Sequence, residues 1–338
     1  MITHIKNYLQ QKTNYISYII CTFAVNKTLI TMKKLFITFI LTCFAIISFA
    51  QPGQFPKPSV TPDYPNLYYA GDQLEAHQLD IYLPKDGAAK HKVVVIIYGS
   101  AWFMNNAKAM AFMSIGKPLV DAGFAVVSIN HRSSTDAKWP AQINDVKAAI
   151  RYIRGNADKY GLDTSFIGIT GFSSGGHLSA MAGTSNGVKT KTEGKVTVDI
   201  EGNLGQYTKE SSDVNAVVDW FGPVDMTRME KCSTVKDAHS PEAALIGGNP
   251  ADNMDMVKLC SPIFYISNSC PNFLVIHGTA DNVVPYCQGE YFSKALQSAG
   301  KLTEFISVPD GQHGPVTFNE GTFKKMCDFF KKEAGIGK

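Results

Sequence analysis

The sequence predicts a single α/β domain: a mostly parallel central sheet with helices on both faces. Three observations carry this reading. Short apolar runs alternate with helix-like segments from residue 78 onward, the pattern that builds successive βαβ units. The run Val93-Val94-Val95-Ile96-Ile97 has no polar alternation, as a strand covered on both faces requires. About 288 residues remain once a leader-like N-terminus is set aside, a length that suits one large domain.

The strand-like runs, in order, are 78–83, 92–98, 123–130, 166–171, 215–221, 272–277 and 303–308. Helices are predicted at 106–121, 140–160, 174–185, 286–299 and 320–334. In the second of these, Pro140 opens the segment and Ile143, Val146, Ala149, Ile150 and Ile153 recur at helical spacing. Gly161 ends it. Residues 187–214 are polar and rich in Gly, Lys and Ser, and read as an irregular insertion between two core strands, placed on the catalytic side. No internal repeat is visible.

The N-terminus reads differently. Met32-Lys33-Lys34 precedes an almost unbroken apolar run, Leu35 to Ile47, and then Ser48-Phe49-Ala50. A basic start, an apolar stretch and a small-x-small site describe a cleaved export signal. The run is short of the ~20 residues needed to span a bilayer. The expected organisation is therefore an upstream extension (1–31), a signal peptide (32–50), an extended proline-punctuated arm (51–75) and the catalytic domain (76–338). Export to the periplasm or outside the cell follows. Residues 1–50 carry five lysines and no acid, so removing them takes the formal charge from +3 to −2. Nothing basic remains to suggest nucleic acid or anionic lipid as a partner. Cys232, Cys260, Cys270, Cys287 and Cys327 remain. Their odd count leaves at least one unpaired, and none shows the C-x-x-C spacing of a zinc site.

Chemistry concentrates at Gly171-Phe172-Ser173-Ser174-Gly175, a Gly-x-Ser-x-Gly between a β-branched run and a helix-forming one. On so tight a strand-to-helix turn the Ser173 hydroxyl is held exposed above the sheet, with a helix N-terminus behind it. A serine hydroxyl attacks only when a base takes its proton. His313 is the candidate base, in a turn after the last strand, and Asp281 the candidate acid, after the strand before it. The order Ser173, Asp281, His313 suits strand C-termini gathered at one sheet edge. Asp225, which also follows a strand, is the runner-up acid. His177, His131 and His277 read as structural. Backbone N–H donors for the oxyanion are expected from Ser174 and from Ser100 or Ala101, between which the sequence does not choose. Trp102 and Phe103 are expected to wall the acyl side, and Trp220 is a candidate ring for stacking on a sugar.

The chain resembles the α/β-hydrolase esterases of the carbohydrate-esterase and hormone-sensitive-lipase-like type, nearest the bacterial feruloyl and acetyl-xylan esterases. The resemblance covers residues 76–334. It rests on Tyr98-Gly99-Ser100-Ala101-Trp102, Trp139-Pro140-Ala141-Gln142, Gly171 to His177, Asp219 to Asp225, Ser261-Pro262-Ile263, His277 to Pro285 and Gln312-His313-Gly314. It implies the α/β-hydrolase fold and a secreted serine esterase that needs neither metal nor cofactor. The family's usual oxyanion loop is His-Gly-Gly-Gly-Trp. Here Tyr98, Ser100 and Ala101 replace the histidine and two glycines, so side chains crowd the site and favour a small acid such as acetate.

The leading expectation is hydrolysis of O-acetyl, or else feruloyl, esters on xylan or related plant polysaccharides and oligosaccharides. Alternatives are a general carboxylesterase or lipase-like hydrolase of small esters, a serine peptidase of the same fold, and a catalytically dead carbohydrate-binding or adhesion module. The related peptidases carry a large N-terminal propeller, and dead modules lose the serine or the histidine that this chain keeps.

Overall fold

Eight strands form one sheet in the order β1-β2-β4-β3-β5-β8-β9-β10 in the computed structural model, which describes residues 60–314 and 316–337. They are β1 (Tyr64–Tyr68), β2 (Gln78–Tyr82), β3 (His91–Ile97), β4 (Ala125–Ile129), β5 (Leu162–Phe172), β8 (Ala216–Trp220), β9 (Asn272–Gly278) and β10 (Leu302–Val308). β1 and β2 run antiparallel to their neighbours. The pairs from β4 to β10 are parallel. All seven expected strands are present. The signal-peptide reading falls on residues 32–50, outside the described residues. Among the described residues no helix is long and apolar enough to cross a membrane.

Period-two alternation explains why β3 reads as unbroken hydrophobe. Val93, Val95 and Ile97 enter one apolar cluster with Ile143, Ile150 and Leu178. Val94 and Ile96 enter a second on the opposite face, with Leu119 and Phe330. The first cluster is covered by α2 (Ala141–Gly155), α3 (Ser174–Thr184) and α6 (Cys287–Ser298), the second by α1 (residues 108–121) and α7 (Glu320–Ala334). Each fully buried aliphatic side chain here stabilises the fold by about 1.5–3 kcal/mol over an exposed one. α2 stops at Gly155 rather than near residue 160; a single 3-10 turn, Asp158–Tyr160, follows it, and Gly161 at φ +65° ends that turn.

Three regions depart from the sequence reading. The arm assigned to 51–75 is not an arm throughout: Tyr64–Tyr68 pairs with β2 as the sheet's edge strand. Pro65 hides it from pattern reading, yet an edge strand tolerates proline. The 187–214 insertion contains an antiparallel hairpin, β6 (Thr190–Glu193) with β7 (Val196–Asp199). It does not line the nucleophile's cleft. Instead Glu201 pairs with Lys147 at 3.1 Å and Arg151 at 2.5 Å. Both cations are buried on α2 and require a counter-charge, and this ties the insertion to that helix.

Finally, residues 223–265, between β8 and β9, fold into short turns with α4 (Pro241–Ile246) and α5 (Met254–Leu259). A disulfide between Cys232 and Cys287 pins this segment to the start of α6. Closing a loop with a sequence separation of 55 removes unfolded-chain entropy worth about 4 kcal/mol. Cys260, Cys270 and Cys327 are buried free thiols.

Candidate active site

β5 lies at the centre of the sheet, between β3 and β8, and delivers Ser173 at its C-terminal end. Ser173 adopts φ +57° and ψ −125°, a region that costs a non-glycine residue about 1–3 kcal/mol. The surrounding packing enforces it. A Cβ on Gly171 would strike the Gly175 carbonyl, and one on Gly175 would strike the Ile97 carbonyl. The Ser173 N–H donates to the Trp220 carbonyl at 3.0 Å, and its own carbonyl accepts from His177 at 3.0 Å as α3 begins.

Ser173 opens onto a cleft of about 200 Å³ lined by Ala101, Trp102, Pro223, Glu242 and Val284, among others. Asp281 stands in the turn after β9. Its Oδ1 accepts the N–H groups of Val283 and Val284, both at 2.9 Å, and these two valines also line the cleft. Its Oδ2 meets Nδ1 of His313 at 2.8 Å. Burial would raise the Asp281 carboxyl, but the nearby His277 imidazole and the hydrogen bond from His313 outweigh it and hold the group well below the usual carboxylate range. A permanently ionised partner fixes Nδ1 as the protonated nitrogen and leaves Nε2 as the basic one.

The structure thus joins Asp281 to His313. Among the described residues no hydrogen bond joins Ser173 to His313. Phe221 connects the two neighbourhoods: its ring centroid is 4.7 Å from that of His313, and it follows the residue whose carbonyl holds the Ser173 N–H. Nucleophile–base contacts often tighten only once substrate is bound. Asp225 is otherwise engaged. It caps the turn at Met226–Arg228, accepting from Thr227 and pairing with Arg228 at 3.1 Å.

The oxyanion donors separate on geometry. The Ser100 N–H donates to Oγ of Ser174 at 2.8 Å and is spent on bracing the loop. Ala101 takes φ +50° and lines the cleft beside Ser173. Ala101 rather than Ser100 is therefore the candidate donor to accompany Ser174.

The proposed wall residues divide. Trp102 lines the cleft, though its ring is nearly buried and its Nε1 donates to Nδ1 of His177 at 3.2 Å. Phe103 does not line it. This ring is 47% exposed and borders a second groove of about 340 Å³ with Lys138, His239 and Asn249. Trp220 cannot stack on a sugar. It is 0% exposed and packs against Phe318 and Phe323, because β8 is an interior strand covered on that face by α7 and the loop before it.

His177, His131 and His277 are engaged in packing and bracing contacts. His177 is buried, its Nε2 donating to the Cys260 carbonyl at 2.7 Å. Burial pulls it down to about 4, with the Cys260 carbonyl opposing. His131 stacks on Tyr98. His277 has a role the sequence reading did not assign: its Nε2 bonds the Val284 carbonyl at 3.0 Å and stands 3.5 Å from Oδ2 of Asp281, bracing the acid's turn. The i,i+4 spacing of His277 and Asp281 was the available signal. Among the described residues no group of three His, Cys, Asp or Glu side chains is arranged to hold a metal ion.

Asp219 supports the turn that carries Phe221. Its Oδ1 accepts the Gly222 N–H at 3.0 Å, across a backbone in which Phe221 takes φ +41°. Burial pushes its carboxyl from 3.8 up to about 6, with His277 and the Gly222 N–H opposing. The native state therefore binds this proton more tightly than the unfolded chain. The stabilisation is complete below the unfolded value and is lost as pH rises through about 6. Relative to Asp219→Asn, wild type should lose about 2 kcal/mol of unfolding free energy between pH 4 and pH 8. Urea titrations of both proteins at the two pH values measure this, and a pH-independent difference contradicts it.

Comparison with known proteins places this geometry. A family model described as BD-FAE matches residues 79–296. The solved structure of a bifunctional GH43-CE protein from Bacteroides eggerthii is 68% identical with a TM-score of 0.80, covering 80% of this chain and 35% of that one. A truncated form of a carbohydrate esterase from gut microbiota is 58% identical, also at a TM-score of 0.80, over 84% of this chain and 99% of its own. Among curated proteins, Esterase LipQ of Mycobacterium tuberculosis is 33% identical over 238 residues, 70% of this chain and 53% of LipQ. The chain spans about half the length of the curated relatives it matches. With the strained serine, the buried acid–histidine pair and the mostly parallel sheet in place, the chain belongs to the BD-FAE family, within the α/β-hydrolase esterases.

Proposed function

We propose that this chain is an exported serine esterase that removes small acyl groups, acetyl foremost, from xylan or related plant polysaccharides and their oligosaccharides. The observation that carries the reaction type is Ser173, held in strained backbone at the mouth of a narrow cleft, together with Asp281 and His313, which meet at 2.8 Å in the turns after β9 and β10. Ser173 Oγ attacks the acyl carbon while His313 Nε2 takes its proton. The N–H groups of Ala101 and Ser174 receive the developing oxyanion. His313 then hands the proton to the sugar oxygen as its bond to the acyl carbon breaks, so that the sugar leaves as an alcohol, and water repeats the sequence on the acyl-enzyme to release the acid. Asp281 stays ionised throughout and stabilises the imidazolium.

Two observations support the substrate. The cleft holds about 200 Å³, below the ~300–1,000 Å³ typical of sites for larger ligands, and the Ala101 and Trp102 side chains line it. The more similar solved structures include one described as a carbohydrate esterase. Export rests on the Met32 to Ala50 pattern.

The test is product identification on acetylated and feruloylated xylo-oligosaccharides. The proposal expects acetate release with kcat/KM at least tenfold above ferulate release. Equal rates on the two esters, or hydrolysis of simple aryl acetates with none on the oligosaccharides, would overturn it in favour of a feruloyl esterase or a general carboxylesterase.

A further inference from the structure

Glu242 is out of place in the wall of this cleft. It stands in the first turn of α4, one residue after the N-capping Ser240 and Pro241, and lines the same cavity as Ser173. The residue is 6% exposed, and its Oε2 is buried without a hydrogen-bond partner among the described residues. Lys236 lines the cleft too, but its ammonium is engaged by Glu230 at 3.0 Å. A buried carboxyl oxygen with no donor costs free energy that an apolar side chain of similar size would avoid. Met229, Pro223 and Val284 serve elsewhere in the same wall, so apolar lining suffices for shape. Burial raises the carboxyl from its ordinary value, its own N–H and Ser240 opposing only in part.

We infer that Glu242 is a specificity-determining residue whose free oxygen bonds a hydroxyl group carried by the substrate close to the scissile ester. This rests on the ester-hydrolase reading above and deepens it. The favoured substrates are partial esters of polyols, in which a free hydroxyl neighbours the acylated one, rather than esters of simple alcohols. A site with a buried group waiting for a hydroxyl discriminates strongly against the analogue that lacks it, because the group is then left unpaired.

The experiment compares kcat/KM for glycerol monoacetate and for n-propyl acetate, which carries the same acyl group but no hydroxyl. Wild type, Glu242→Leu and Glu242→Gln are measured together. The expected result is that Glu242→Leu lowers the ratio of the two specificity constants roughly 10- to 100-fold. Glu242→Gln, which keeps a hydrogen-bonding oxygen, should hold the ratio within about threefold. The thermal midpoint of Glu242→Leu should not fall below that of wild type, since the orphaned oxygen is gone. A ratio unmoved by leucine, or an equal loss on both esters in both variants, overturns the inference. Wild type that hydrolyses both acetates but not acetylated oligosaccharides would refute the saccharide substrate alone and leave the Glu242 ratio to be judged on its own.

Discussion

Ser173→Ala is expected to lower kcat on any acetyl ester on the order of 10⁶-fold while leaving the fold and the cleft intact. The size of the effect follows from the mechanism: without the hydroxyl no acyl-enzyme forms, and only binding and the oxyanion donors remain to accelerate attack by water. The fold should survive because the Ser173 side chain bonds to none of the described residues, while its N–H and carbonyl, which alanine retains, tie β8 and α3 to the elbow. The same position offers a stability readout. Alanine inherits the strain of φ +57° and glycine does not, so Ser173→Gly should exceed Ser173→Ala in unfolding free energy by about 1–3 kcal/mol. Urea unfolding of the two variants measures that gap. Equal stabilities would mean the elbow stores no strain.

Asp281→Asn carries the second largest expected loss, about 10⁴-fold in kcat. The asparagine amide would face His313 Nδ1 as a donor, and the imidazole would then present a protonated Nε2 to Ser173, the wrong tautomer for a base. The hydrogen bonds from Val283 and Val284 to the side-chain oxygen can persist, so the loss falls on proton transfer rather than on placement of the turn. The pH behaviour distinguishes this from general damage. The Asp281 carboxyl is held well below the ordinary range by His277 and His313 against the opposing effect of burial. Its folded value lies below the unfolded one, so its contribution to stability is complete above about pH 5 and is lost only in strong acid. The stability gap between wild type and Asp281→Asn should therefore shrink as pH falls below about 4. Chemical unfolding across that range checks the sign.

Much of the fold was legible because the buried strands have no choice of pattern. β3 and β9 are covered on both faces and read as continuous hydrophobe, and α2 announces itself through Ile143, Val146, Ile150 and Ile153. The candidate nucleophile, acid and base could be named because each chemistry demands a particular residue at a strand end, and the structure brings Asp281 against His313. What escaped is what packing decides after the chain has folded. Tyr64–Tyr68 gains strand character only from β2 beside it. Trp220 looked available at a strand end, yet Phe318 and Phe323, nearly a hundred residues later, bury it. The segment 223–265 has no long period to betray it, and with it went Met229, Pro241 and Glu242, which form much of the cleft. One local signal was present: Ser240-Pro241-Glu242 is a helix start, and Ser240 does accept the Ala243 N–H at 3.1 Å.

The account depends on the hydroxyl of Ser173 being made nucleophilic by the Asp281–His313 pair. Fluorophosphonate labelling of the folded protein, followed by peptide mass mapping, tests this most directly. The predicted result is a single phosphonyl adduct on Ser173 in wild type, formed at least 10³-fold more slowly in Asp281→Asn, in line with the tautomer argument. An active enzyme that carries no adduct on residue 173, or labels there equally fast without the Asp281 carboxylate, would contradict it.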